Sequence, residues 1–192
     1  MRDKKIGLIE NFSGLTMANK LLLLLVFLGE KPAAEIILRA CAEYPYKNTL
    51  KPKERLIPEI KELLNALGLS YCIRRIYCSG YVFLYVSRDP EIINGISGSL
   101  YPRDDEKFGR YMGFPETAIE AFLKKRPRLN EERNRKILES KLLFFVSFIF
   151  SEEFHLKELK EFSVRRYLAV RKHSPRLFWE NSIFCKCYFG MM

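Results

Sequence analysis

Five carboxylates in the middle of the chain have the clearest catalytic potential: Asp104, Asp105, Glu106, Glu116 and Glu120. Oxygen-rich clusters of this kind hold Mg²⁺, and a bound Mg²⁺ can support hydrolysis of phosphodiesters. The Asp105-Glu106-Lys107 triplet also matches the acid-x-lysine end of a nuclease motif, which normally lies on a strand after a hairpin. Here the triplet opens a predicted helix, where the helix dipole alone favours acidic residues. A metal-dependent hydrolase or nuclease is therefore the alternative interpretation.

Basic residues give the stronger signal, because the formal net charge is +10 and most of it falls in two clusters. The first cluster contains Lys124, Lys125, Arg126, Arg128, Arg133, Arg135 and Lys136. The second cluster contains Arg165, Arg166, Arg171, Lys172 and Arg176. Such clusters bind phosphate backbones through counterion release. Three aromatic residues lie beside the second cluster and can stack bases: Tyr167, Phe178 and Trp179.

These clusters predict a non-catalytic module that binds RNA or DNA, or a nucleoprotein partner. Reversing the charge of Arg165, Arg166 and Arg171 is then expected to abolish binding and to leave thermal stability nearly intact. A solvated basic face is the competing explanation, because charge also serves solubility. A purely structural protein-interaction module is a third interpretation.

The remaining reactive side chains form no recognisable site. The sequence contains no P-loop, no GxGxxG, no HExxH and no GxSxG motif. The two histidines, His155 and His173, lack metal-ligand spacing. The five cysteines also lack the spacing of a zinc site and are expected to be free and buried: Cys41, Cys72, Cys78, Cys185 and Cys187. We therefore assign no catalytic residue, no metal and no cofactor.

A Gly113-Phe114-Pro115 corner joins two predicted helices and is expected to be structural. Gly113 suits a left-handed helix cap, and Pro115 suits the first position of the next helix. The segments GFPETAIEAF, KPAAE and FSEE resemble an archaeal family of uncharacterised proteins, the domain of unknown function four-eight-three. The resemblance implies a family but no activity. Where that family often has two cysteines after the acidic residue, this chain has Thr117 and Ala118, so cysteine chemistry is excluded at those positions.

The periodicity of apolar residues predicts an α+β fold with a small antiparallel or mixed sheet of about three strands packed by helices. Helices are predicted over 16–28, 33–42, 53–67, 129–140, 151–172 and 177–184, with shorter ones after Pro90 and around the corner. Strands are predicted over 70–77 and 81–86, which form a hairpin, and over 141–150, where a buried helix is the alternative. Residues 1–192 are expected to form a single domain, with a sub-boundary near 126–128 as the alternative.

The expected location is the cytoplasm. The apolar run Leu21–Leu28 is too short to cross a membrane, and no secretory signal is recognised. The absence of glutamine and the many charged residues are typical of a heat-adapted protein. The aromatic tail Phe184–Met192 should be covered, because exposed it would form a sticky apolar patch. We expect it to fold back on the core, and a homo-oligomer formed through the tail is the alternative.

Overall fold

The computed structural model describes residues 2–39, 56–76, 81–98, 104–138, 145 and 148–189. Of residues 2–3, 39, 76, 81, 138 and 183–189, only the backbone is described. The helices of the first half are α1 (Arg2–Asn11), α2 (Met17–Leu28), α3 (Ile57–Leu67) and α4 (Pro90–Gly98). Those of the second half are α5 (Asp105–Tyr111), α6 (Glu116–Phe122), α7 (Glu131–Leu138), α8 (His155–Glu158), a π-helical segment (Leu159–Val164), α9 (Arg165–His173) and α10 (Pro175–Phe189).

One antiparallel sheet is formed by β1 (Ala33–Arg39), β2 (Ser70–Ile76) and β3 (Tyr81–Ser87), in the order β1-β3-β2. The predicted hairpin is confirmed, since β2 and β3 pair from Ser70 opposite Ser87 to Ile76 opposite Tyr81. Helices pack against both faces of this sheet, so the predicted α+β fold class is confirmed. No helix among the described residues is long and apolar enough to span a membrane.

The predicted helix over 33–42 is wrong, because its described part is strand β1. Ala34, Ile36 and Leu38 alternate along the chain and lie in the main core. Ala33 belongs to a second apolar cluster on the opposite face of the sheet. Antiparallel pairing with β3 therefore outweighs the helix propensity of alanine and leucine. Residues 40–42 lie outside the described residues.

The predicted strand over 141–150 is also not found where the structure describes it. Phe145 lies in a short 3₁₀ turn, and 148–150 have no strand conformation. Phe145 and Phe150 are nevertheless fully buried. A continuous apolar run predicts burial, but it lacks the alternation that distinguishes a strand from an irregular buried segment. The other residues of this run lie outside the described residues.

The main core forms around α2, whose Leu21, Leu23, Leu24, Leu25 and Val26 are buried. Helix α2 begins as predicted after Thr16, whose hydroxyl accepts a hydrogen bond from the Asn19 backbone N–H (3.4 Å). Residues of α1, α3, α9, α10 and the inner face of the sheet complete this core. The second apolar cluster joins Tyr85 to α4 and to Met112 beyond α5.

The helix predicted over 151–172 begins four residues later than predicted, at His155, and consists of α8, the π-helical segment and α9, which follow one another without a break. Pro175 then begins α10, which extends to Phe189, five residues beyond the predicted end at Phe184. The side chains of the aromatic tail lie outside the described residues, so the prediction that the tail is covered stays a prediction. Segment 126–128 is hydrogen-bonded to the residues before α8, with the Glu152 N–H donating to the Pro127 carbonyl (3.0 Å).

Candidate nucleic-acid interface

The Gly-Phe-Pro corner is a tightly packed helix connection. Gly113 has φ of 68°, and the Phe114 N–H donates to the Gly109 carbonyl (3.0 Å), which closes the end of α5. A Cβ built on Gly113 would overlap the ring of Pro32 at the start of β1. The prediction that Pro115 is the first residue of the second helix is wrong, because Pro115 precedes α6 as its N-cap. The corner therefore joins α5 to α6 and packs against Pro32, just before β1.

The acidic side chains at this corner are neutralised by basic neighbours. The Arg110 guanidinium lies 2.7 Å from Glu106 and 2.6 Å from Glu116, and Lys125 lies 2.8 Å from Glu106. Hydrogen bonds from Lys125 and then Arg110 lower the pKa of Glu106, and the bond from Arg110 lowers the pKa of Glu116. Glu120 is paired with Arg126 (2.9 Å).

The two other acids of the alternative metal site, Asp104 and Asp105, lie at the start of α5. Asp104 caps α5 by accepting a hydrogen bond from the Lys107 backbone N–H (3.0 Å), and Asp105 lies in the first turn. Within the part of the chain that the structure describes, no group of three histidine, cysteine or acidic residues could hold a metal ion. The arrangement weighs against the metal-dependent alternative.

Most of the first basic cluster is engaged by the protein itself. Lys125 pairs with Glu106, Lys136 with Glu132 (2.8 Å), and Arg126 with both Glu120 and Glu153. Arg128 donates from Nε to the Ala121 carbonyl (2.9 Å) at the end of α6. Residues 124–128 line an open depression of about 530 Å³. Arg135 also interacts with another group of the protein. Lys124 and Arg133 have no carboxylate partner among the described residues.

The second basic cluster is divided between the interior and the surface. Arg166 is only 3% exposed and donates a hydrogen bond to the Gly113 carbonyl (3.1 Å), so it is not available to a large ligand. Arg165 pairs with Glu30 (2.7 Å) and Arg176 with Glu180 (3.0 Å), but both stay exposed.

Arg171 and Lys172, in the last turn of α9, are exposed. The Arg171 guanidinium lies 5.8 Å from the centre of the Phe178 ring. Neither side chain has a carboxylate partner among the described residues. Together with Arg176 in the first turn of α10, they place three cations around one helix junction.

Of the three aromatic residues predicted to stack bases, only Trp179 presents its ring to solvent. Trp179 is 65% exposed, whereas Phe178 is buried and Tyr167 is half-buried. Tyr167 instead packs edge-to-face against Phe145 in the core (5.6 Å between ring centres).

Sequence reasoning missed a buried cation at the corner. Lys31 is 3% exposed, its Nζ lies 2.7 Å from the Met112 carbonyl oxygen, and it lies 5.2 Å from the centre of the Phe114 ring. Burial, followed by the charge of Arg166, lowers the pKa of Lys31 well below its usual value, and Glu35 opposes this. No carboxylate among the described residues lies within ion-pair distance of Lys31 or Arg166.

Burial also lowers the pKa of the Arg166 guanidinium. Burial and then the charge of Arg165 lower its pKa to about 10, and Glu30 opposes the shift, so the guanidinium is charged at neutral pH. Two adjacent corner carbonyls thus accept hydrogen bonds from two buried basic groups. Lys31 opens the KPAAE segment, but nothing in that segment indicates that its amine is buried, whereas Arg166 lies four residues from Phe162 and Val170 on the apolar side of its helix.

A buried carboxylate, Glu158, joins the second corner helix to α8. It accepts hydrogen bonds from the Ser151 backbone N–H (3.0 Å), the Ser151 hydroxyl (2.7 Å) and the Thr117 hydroxyl. Thr117 is one of the two positions where the resembling family often has cysteine. Among the cysteines, Cys72 is a half-buried free thiol, and the other four side chains lie outside the described residues.

No family model, characterised protein or solved structure matches this chain. The resemblance to the archaeal family of unknown function therefore stays a prediction.

Proposed function

We propose that the protein binds RNA or DNA through the junction of α9 and α10, and that it does so without catalysis. The observation that carries the proposal is the group of exposed cations at this junction, Arg171, Lys172 and Arg176, beside the exposed Trp179. No acidic residue occurs between Glu161 and Glu180 in the sequence. Phosphates bind such a surface by releasing their condensed counterions.

The first basic cluster contributes less to this proposal. Three of its seven cations, Lys125, Arg126 and Lys136, are paired with carboxylates, and Arg128 is bonded to a backbone carbonyl. Lys124 and Arg133 extend the interface, but the cations of the junction should dominate affinity because they lie together and two of them, Arg171 and Lys172, have no carboxylate partner among the described residues.

The test requires a variant that changes the surface and leaves the core intact. Charge reversal of Arg166 is unsuitable, because it would bury a carboxylate beside the Gly113 carbonyl. The expectation that a triple reversal including Arg166 preserves stability is therefore replaced. The test variant is Arg171→Glu with Lys172→Glu. The matched control is Lys4→Glu with Lys61→Glu, which changes the net charge equally at exposed positions of α1 and α3.

Affinity is measured by fluorescence anisotropy with labelled mixed-sequence RNA and DNA oligonucleotides, starting at about 50 mM salt. We expect the native chain to bind, with an affinity that falls as salt increases. The junction variant should lose most of this affinity while the control loses little, and both should melt like the native chain. Equal losses would indicate a general charge effect. No binding by the native chain at low salt would refute the proposal.

A further inference from the structure

Trp179 is the single tryptophan of the chain, and it lies on the surface although indole is the largest apolar side chain. It is also the outer end of a chain of aromatic contacts that reaches the core. Phe145 contacts Tyr167, Tyr167 contacts Phe178 (4.9 Å between ring centres), and Phe178 contacts Trp179 (5.7 Å, rings at 80°). Because Phe178 is buried and both residues are helical, the exposed indole has a firm support.

The charged neighbours of Trp179 indicate what this ring binds. Arg176 lies three residues earlier on α10 and therefore on the same side of the helix. Arg171 extends over the Phe178 ring, which contacts the indole. A flat apolar surface next to guanidinium groups matches a nucleobase next to its phosphates.

We propose that the α9–α10 junction selects single-stranded nucleic acid, because one unpaired base stacks on Trp179. This inference rests on the proposed function and names its ligand more narrowly. In a duplex the faces of the bases are covered by their neighbours, so an indole can stack only on a base that is free of the helix. Stacking also carries little sequence preference, since every base has a π face.

A membrane surface is the main competitor, since exposed tryptophan with basic residues also occurs on interfacial helices. Such helices need a continuous apolar face. Among the described side chains of α10, Trp179 is the single large apolar side chain exposed to solvent, and the ion-paired Arg176 and Glu180 lie beside it. This composition favours a single stacked base over insertion into lipid.

Because Trp179 is the only tryptophan, the intrinsic fluorescence of the full chain reports directly on this site. We expect a single-stranded oligonucleotide to quench the emission strongly, and the duplex of the same sequence to change it little. Trp179→Ala should weaken single-strand binding, measured by anisotropy, by about tenfold or more. Trp179→Phe should retain most of the affinity. The salt dependence should be the same in all three proteins, since stacking releases no counterions.

The outcomes separate this inference from the proposed function. Suppose that the native chain binds nucleic acid and that Trp179→Ala lowers the affinity for single strands and for duplexes equally, or lowers neither affinity. The stacking inference is then wrong, and the basic interface stands. If vesicles containing phosphatidylserine quench Trp179 while oligonucleotides do not, the junction is a lipid-binding surface and both are wrong. Thermal melting of each variant identifies any loss of folding, which the exposure of Trp179 makes unexpected.

Discussion

Replacing Lys31 by methionine should make the stability of the protein respond differently to pH. Methionine has a similar unbranched length but no charge, so it keeps the packing and removes the buried amine. Lys31 is buried just before β1, where the only hydrogen-bond acceptor of its amine among the described residues is the Met112 carbonyl oxygen at 2.7 Å. Burial and the nearby Arg166 lower the pKa of this amine well below 10.5.

The sign of the effect follows from proton binding. Between the lowered pKa of the folded state and the usual value near 10.5, the unfolded chain binds a proton at Lys31 that the folded chain does not. The free energy of unfolding of the native protein therefore rises with pH across this interval, by at most about 1.4 kcal/mol per pH unit. The Lys31→Met variant lacks this dependence.

The substitution also changes the free energy of unfolding by an amount that does not depend on pH. The variant leaves the Met112 carbonyl without its hydrogen bond, which costs about 1–3 kcal/mol at every pH. Relative to the native chain, Lys31→Met should thus be most stable at the lowest pH and lose this advantage as pH rises.

The assay is urea unfolding of both proteins under reducing conditions, from neutral pH to about pH 10. The difference between their unfolding free energies cancels the contributions of titrating groups that do not interact with Lys31. Lys61→Met is the control, because Lys61 is exposed and should give a difference that does not vary with pH. A flat difference for Lys31→Met as well would refute the reasoning, since it would mean that the buried amine keeps its ordinary pKa.

Two further substitutions test the packing of the corner. Gly113→Val should destabilise the protein by more than about 1 kcal/mol, because φ is 68° and a Cβ would overlap Pro32. Gly68→Val is the control in urea unfolding, since Gly68 has a similar φ of 75° but open space around it, and an equal loss in both would exclude the overlap as a cause. Thr117→Val should cost about 1–3 kcal/mol, because it removes a donor from the buried Glu158, and an unchanged melting temperature would contradict this role.

Local sequence signals account for many of the helix ends, because these signals depend on neighbouring residues alone. Gly29 and Gly68 end α2 and α3 in the left-handed conformation, as their positions after apolar helices indicate. Asp104 and Asn130 act as helix caps, and Asn130 accepts from the Arg133 backbone N–H (2.9 Å). These features need no knowledge of distant contacts.

The errors occurred where distant contacts decide the conformation. Segment 33–39 contains good helix formers, but pairing with β3 makes it a strand. The Phe-rich segment before α8 contributes buried rings to an aromatic group in which Phe148 contacts Phe114, Phe150 and Phe162. The sheet of the described residues has three strands, one of which had the pattern of a helix, and neither error could be seen from propensity alone.

The candidate interface depends on the same distinction. Two adjacent arginines differ completely in burial: Arg165 is exposed, whereas Arg166 is buried beneath the corner. Periodicity can separate such neighbours once the apolar side of the helix is known. It cannot show which of the exposed cations are compensated, because their carboxylate partners, such as Glu30 for Arg165, are distant in sequence.

The pairing of basic residues with carboxylates within the protein lowers the salt dependence that we expect for nucleic-acid binding. If all twelve basic residues of the two clusters contacted phosphates of a single strand, the logarithm of affinity would fall by about 8 for each tenfold increase in salt. Four of them are exposed and have neither a carboxylate nor a carbonyl partner among the described residues: Lys124, Arg133, Arg171 and Lys172. Four contacts give a decrease of about 3. We therefore expect a salt titration of the native chain with a single-stranded oligonucleotide to give a slope near the smaller value. A slope near the larger one would mean that the phosphates displace the carboxylates, so that the ion pairs seen here do not limit the interface.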